Sequence, residues 1–394
     1  MVVNNVTLTG SGLPVNIYIK GRFISSVSAE PTSLNTDELQ FDFNGAIAFP
    51  GLINFHDHLD FNCFPVLSNG PYKNYKAWGK DIHRVHKNEI DAVLKIPLQL
   101  RSQWGVYKNL LAGVTTVVNH GSVLKIDNPL ITVWQEFQSL HSVKLEKYWK
   151  LKLNNPFARK KTCVIHAGEG TDRGSSKEID ELLSWNLWSK KLIAVHAVAM
   201  NTRQARKFSG LVWCPESNKT LLNTHADIDL LKENARIVFG TDSTLTGNWN
   251  AWHHLRTARA THLATDAELF AMATSQAAKL LGSHSGDIRH GKKANIVIAK
   301  DKSGKPGWDS FYATDPEDIL MVMHKGKIRL FDSQYYSQLK KVNFNLSDFF
   351  PVTINGEVKY VEGNIPALMA DIKHYYPGAV FPCSAIEKKM ILAE

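Results

Sequence analysis

Long apolar runs are missing from this 394-residue chain. No segment approaches the roughly 20 consecutive apolar residues that cross a bilayer, so a membrane-spanning role is not expected. Cysteine is scarce. Its four thiols, at Cys63, Cys163, Cys214 and Cys383, show no Cys-Xaa-Xaa-Cys spacing, which argues against a zinc knuckle or a disulfide framework and suits reduced thiols. The opening MVVNNVTLTG lacks a basic start and an apolar stretch before a small-residue cleavage site, so no secretory leader is expected and the cytoplasm is the expected compartment. Basic residues are in excess, 46 Lys and Arg against 37 Asp and Glu for a net +9. They are dispersed, however, with only short runs such as Arg159-Lys160-Lys161, and a solvated surface explains them better than a nucleic-acid partner.

What is present is a change of texture along the chain. Apolar and polar residues alternate through Val6, Leu8, Val15, Ile17, Ile19 and Val27, the period of short antiparallel strands. From Ala46 onward short apolar runs take over, among them Leu52-Ile53-Asn54-Phe55, Val114-Thr115-Thr116-Val117-Val118, Cys163-Val164-Ile165 and Leu192-Ile193-Ala194-Val195. Leu211-Val212-Trp213 and Ile237-Val238-Phe239 continue the series. Such runs fit strands buried on both faces of a parallel sheet. Amphipathic helices are predicted between them over 87–111, 176–188, 227–234 and 250–263. A further helix, capped by Asp266, runs to Leu281 and stops at Gly282. This is β/α alternation. Strand texture returns in Asn295-Ile296-Val297-Ile298, and Asn355-Gly356 between two apolar segments signals a hairpin. The domains expected are 1–49 and 286–394 as two parts of one β domain, the second with a C-terminal extension, and 50–285 as an α/β barrel.

Metal-binding residue types recur at the ends of four predicted strands. Phe55-His56-Asp57-His58 places two imidazoles two residues apart, on one side of a strand. His166, His196 and Asp242 each follow a strand-like run, and in an α/β barrel the strand C-termini share one face. Each residue alone reads more simply as a buried or capping side chain. Their joint placement favours a single metal centre. Glu169, three residues past His166, is the candidate to carry a proton between water and a leaving nitrogen, and Asp242 can serve both metal and water.

Several longer pieces, including Pro50-Gly51-Leu52-Ile53-Asn54-Phe55-His56-Asp57-His58, His166-Ala167-Gly168-Glu169, Cys214-Pro215-Glu216-Ser217-Asn218 and Gly240-Thr241-Asp242-Ser243, resemble the amidohydrolase superfamily. Within it they are similar to the branch of chlorotriazine hydrolases, guanine deaminase and S-adenosylhomocysteine-type deaminases. The resemblance implies a (β/α)8 TIM-like barrel with a small β-sandwich built from both chain ends. It further implies one divalent ion, Zn2+ or Fe2+, held by His56, His58, His166, His196 and Asp242, with Glu169 as proton shuttle. Between His58 and His166 the chain is short for three further β/α units, so a trimmed barrel is expected there.

The activity expected is metal-dependent hydrolysis of a C–N bond, foremost deamination of a small heterocyclic or aminated compound. Amide or cyclic-amide hydrolysis, or dechlorination, at the same centre is the alternative, and a catalytically silent scaffold on this fold is the alternative of another class. Asp60, His120, Ser217, Asn218 and Trp249 are the candidate substrate contacts. A small molecule is the expected partner, with a homodimer as the family-level expectation and neither nucleic acid nor membrane.

Overall fold

The computed structural model describes residues 1–30, 39–304 and 307–386. Its centre is a set of parallel strands in two sheets. Leu52–Asp57, Val114–Asn119 and Thr132–Trp134 form one. Gln138–Ser142, Cys163–Ala167, Leu192–His196, Gly210–Trp213 and Ile237–Phe239 form the other. The predicted apolar runs are indeed buried along their whole length in most of these strands, as a sheet covered on both faces requires.

Two seams interrupt the barrel. At one, the N–H groups of Thr241 and Asp242 donate to the His56 carbonyl at 3.1 and 2.9 Å, tying the last strand to the first. At the other, Thr132–Trp134 runs on into Gln138–Ser142 across three residues, pairing first with Val114–Asn119 and then with Cys163–Ala167. Helices are missing both from that short link and from 120–131. The barrel is therefore trimmed on the side where the sequence looked short.

Some expected helices end elsewhere. The helix anticipated over 87–111 is two, Lys87–Leu94 and Leu98–Leu111, because Pro97 cannot donate to a continuing helix and holds the preceding residue out of helical geometry. Thr265, not Asp266, caps the next, through a reciprocal box with Glu268. That helix stops at Met272, and a second spans Ser275–Leu281. The break has a cause: the Ala273 carbonyl accepts from Ile53 N–H at 2.8 Å, so a barrel strand takes the acceptor that a continuous helix would use. Gly282 then closes the second helix at φ +65°, as predicted.

Both chain ends join in one eleven-stranded sheet, which encloses a core of its own beside the barrel, as expected of a β domain built from the two ends. Alternation assigns its two faces. Ile47, Phe49, Val297 and Val322 pack into the barrel core, while Ala48, Ile296, Ile298 and Met321 pack with Phe41 in a second core. The predicted hairpin joins Phe349–Ile354 to Glu357–Glu362, with Asn355 and Gly356 both at positive φ, the conformation a two-residue turn needs. Beyond it, the helix Ile365–Tyr375 packs on Leu98–Leu111, and the Tyr107 hydroxyl donates to the Glu362 carbonyl at 3.2 Å. The extension thus braces a barrel helix that reaches under the site. Among the described residues no helix is long and apolar enough to cross a membrane.

Candidate metal centre

His56 is the penultimate residue of the first barrel strand, which ends at Asp57, and His58 follows just beyond it. Ligand atoms of His56, His58 and His166 lie within 4.8 Å of one another. The Nε2 atoms of His56 and His166 are 3.2 Å apart, and Asp242 Oδ1 stands 3.5 Å from His56 Nε2 and 3.6 Å from His58 Nε2. His196 completes the ring of side chains, stacked 5.3 Å from His166 with its Nε2 3.6 Å from Glu169 Oε1. The strand ends thus bring together all five residues expected as ligands, with Glu169 beside them. His196, Ala197 and Asp242 all adopt positive φ, at 71, 52 and 62°, a conformation costly for non-glycine residues and typical of functional positions.

Neighbours fix how the donors face. His166 Nδ1 lies 2.7 Å from the His141 carbonyl, which can only accept, so Nδ1 carries the proton and Nε2 keeps its lone pair. His196 Nδ1 lies 3.0 Å from the Asn218 amide. The atom placed there is the amide nitrogen, with Asn218 Oδ1 left without a partner among the described residues; exchanging the amide oxygen and nitrogen would let Oδ1 accept from Nδ1–H and free His196 Nε2 for an ion. Asp242 Oδ2 accepts from Ser217 at 2.8 Å and Thr246 at 2.9 Å, leaving Oδ1 for the imidazoles.

Burial dominates the electrostatics. It lowers His58 to about 4 and His196 to about 3, with neighbouring imidazoles adding to the effect and Asp242 opposing it. Burial also pushes Asp242 upward, but its bond to His56 and the charges of His56, His58 and His196 prevail and hold it well below the carboxylate range. Glu169 goes the other way: burial, then the nearby Asp242 and Glu178, raise its carboxyl well above the ordinary value. The two carboxyls are thus pushed in opposite directions.

These residues fit a divalent ion. Two nitrogens each about 2.1 Å from one cation sit roughly 3.0–3.4 Å apart at ordinary coordination angles, and His56 and His166 have that spacing. Neutral imidazoles with one carboxylate oxygen suit Zn2+ or Fe2+ rather than Mg2+.

A cavity of about 720 Å3 opens over the donors, and Asp60, His120 and Glu169 line it. Burial raises the Asp60 carboxyl, Arg101 pulling against it at 3.6 Å. His120 is buried, its Nε2 3.1 Å from the Leu140 carbonyl and its Nδ1 without a partner among the described residues. Ser217 and Asn218, expected at the substrate, contact Asp242 and His196 instead. Trp249 lines a neighbouring cleft with Asn62, Trp104 and Phe381.

Sequence reasoning missed the layer beneath. Asp57, between the two histidines, accepts from Lys108 at 3.0 Å, Asn109 at 2.7 Å, Asn54 at 3.1 Å and Asn62 at 2.8 Å. Its place inside the motif was the available signal. Nothing in the sequence marked Lys108, Asn109, Thr246 or His141.

The fold and this ring of donors define an α/β-barrel protein with a histidine-rich centre. Residues 159–329 match the family model described as amidohydrolase family. No curated protein matches the chain by sequence. Among solved structures it resembles an adenosine deaminase from Xanthomonas campestris with bound zinc, at 16% identity over 95% of this chain and 97% of that one, with a TM-score of 0.69. Atrazine chlorohydrolase TrzN from Arthrobacter aurescens TC1, complexed with zinc, is similar at 15% identity over 83% and 94%, TM-score 0.63. Helicobacter pylori aminofutalosine deaminase is similar at 13% identity over 83% and 99%, TM-score 0.62. At such identities the likeness is one of fold.

Proposed function

We propose that the chain is a metal-dependent hydrolase of C–N bonds, and that its reaction is the deamination of a small amino-substituted, foremost heterocyclic, compound. The observation that carries this reading is the pair Asp242 and Glu169, two buried carboxyls on one cluster of imidazoles, Asp242 Oδ1 3.5 Å from His56 Nε2 and Glu169 Oε1 3.6 Å from His196 Nε2, whose surroundings pull them in opposite directions. Such a divergence assigns base and acid. His56, His58, His166, His196 and Asp242 would hold the ion, with Zn2+, the ion in two of the similar structures, the first choice. A divalent ion supplies Lewis acidity that makes water a competent nucleophile at neutral pH.

The chain's own groups do the rest. Asp242 Oδ1, ionised and held by Ser217 and Thr246 through the other oxygen, takes a proton from water. Protonated Glu169, fixed where the Tyr75 N–H donates to its carbonyl at 3.1 Å, gives a proton to the leaving nitrogen. The C–N bond breaks as C–O forms, and ammonia leaves. His120 offers the free lone pair of Nδ1 to a substrate N–H, and Asp60 a second polar contact on the wall.

The test uses zinc-loaded protein with a panel of amino-heterocycles, followed by ammonia release and product mass. Glu169→Gln should lose roughly 10²–10⁴ in turnover while metal content is kept. Products heavier by a whole water would replace deamination with amide or ring hydrolysis. Substoichiometric metal in the purified chain would sink the hydrolase reading altogether.

A further inference from the structure

The lining of the cavity combines two kinds of chemistry. One is the cluster of imidazoles and carboxyls. The other is an apolar wall of Phe61, stacked on His58, with Phe64, Ile82, Ile90, Leu94 and Leu98, and with Leu124 and Leu145 also lining the space. The first six come from the turn after His58, the helices Tyr75–Val85 and Lys87–Leu94, and the start of Leu98–Leu111; Leu124 and Leu145 come from the segments after Val114–Asn119 and Gln138–Ser142. Three of the leucines form a wet rim: Leu94, Leu98 and Leu145 are 47, 48 and 53% exposed.

Several polar atoms on this wall are already engaged. Trp78, which also lines the cavity, donates its indole N–H to the Leu67 carbonyl at 2.8 Å. The Tyr75 hydroxyl donates to Glu178 at 3.1 Å. Glu146 is bound by Lys152 and by the His141 N–H, so that charged pair is satisfied within the protein. His83 stands exposed among the lining residues and Asp60 faces Arg101. The rings of Phe61, Phe64 and Trp78 therefore present carbon to the space. An apolar group is what such a wall stabilises, by about 25 cal/mol for each Å² it removes from water.

We propose that the substrate is amphipathic: its amino-bearing head sits at the imidazole cluster, and an uncharged alkyl or aryl arm runs along the two helices toward the leucine rim. This rests on the hydrolytic reading of the same centre and adds the substrate class. The reaction balances as R–NH2 plus water giving R–OH plus ammonia, with the arm part of R and chemically untouched. Both a cavity of about 720 Å3 and its lining fall within the range of pockets that enclose a drug-sized ligand.

The experiment is calorimetric titration of the chain, zinc-loaded and metal-free, with 2-aminopyrimidines bearing n-alkyl groups from methyl to octyl, alongside ammonia release from each. Binding should tighten roughly fourfold for each added methylene until the arm fills its channel. The trend should persist without metal, since the wall contacts are carbon against carbon and need no ion. Leu94→Gln with Leu98→Gln, at exposed positions where folding is not at risk, should flatten the trend for the longer members, and Ile82→Ser should shorten it. Affinity independent of chain length, or no binding by the octyl compound, overturns the proposal. A chain-length trend unmoved by all three substitutions overturns it as well. Failure of the reaction reads differently: a chain-length trend without ammonia supports the arm and removes deamination, whereas ammonia release with a flat trend removes the arm alone.

Discussion

Asp57 and Lys108 form an ion pair with no access to water, Oδ2 to Nζ at 3.0 Å, inside the two-residue step that separates His56 from His58. The pair links a barrel strand to the helix Leu98–Leu111, and Lys108 also donates to Thr241 at 3.2 Å, next to Asp242. Three ligand-bearing positions thus share one buried support.

Removing one partner leaves the other charged in the core, which costs about 3–5 kcal/mol. Lys108→Ala should therefore lower stability by that order in denaturant melts and weaken zinc retention. Replacing both as Asp57→Asn with Lys108→Met should recover much of the stability. If the single substitution costs less than about 1 kcal/mol, the support is not there.

Asn218 governs a tautomer. Its amide against His196 Nδ1 decides which ring nitrogen keeps a lone pair, and loss of such an outer contact typically costs 10- to 100-fold in metal affinity. Asn218→Leu should show that loss in competition with a zinc chelator, with far-UV circular dichroism unchanged. Unaltered affinity would mean that His196 is oriented by packing alone.

Close approach of backbones predicts another outcome. A Cβ added at Gly105 would meet the Leu59 carbonyl oxygen at 2.2 Å, so the helix Leu98–Leu111 lies against the turn that follows His58 only because residue 105 has no side chain. Gly105→Ala, neutral or better in an ordinary helix, should here destabilise by about 1–3 kcal/mol and reduce activity by displacing His58 and Asp60. Thermal melts and turnover check both.

How much of this was legible follows from the range of the forces involved. Strands and ligands at Leu52–Asp57, Cys163–Ala167 and Leu192–His196 show in the sequence because continuous apolar runs and metal-binding residue types are local signals. The merging of Thr132–Trp134 with Gln138–Ser142 was not, since their partners, Val114–Asn119 and Cys163–Ala167, lie far apart in the chain. Lys108 was invisible for the same reason. In its helix it reads as one more solvated cation, and only the barrel brings it to Asp57. Ser217 and Asn218 were visible as motif residues, but motif membership does not say whether a side chain faces substrate or supports a ligand.

His324 supplies the pH prediction, away from the candidate centre. It is buried, with Nε2 2.9 Å from Thr132 Oγ1, and burial followed by the charges of Lys325, Arg329 and Lys293 lowers it to about 3. The folded chain thus keeps this imidazole neutral, while the unfolded chain protonates it near 6.5. Between those values the unfolded state holds the extra proton, so stability rises with pH through the window and is lost as pH falls. Above the unfolded value the contribution is complete; at pH 4.5 roughly 2–3 kcal/mol of it is gone. The histidines of the imidazole cluster add a slope of the same sign, so the variant must separate them. His324→Gln, able to keep a bond to Thr132, should be less stable than or similar to the parent at pH 7.5, and should close or reverse the gap by about 2 kcal/mol at pH 4.5. Denaturant melts of both proteins at the two pH values measure the difference directly. Parallel stability curves would show that His324 protonates freely in the folded chain.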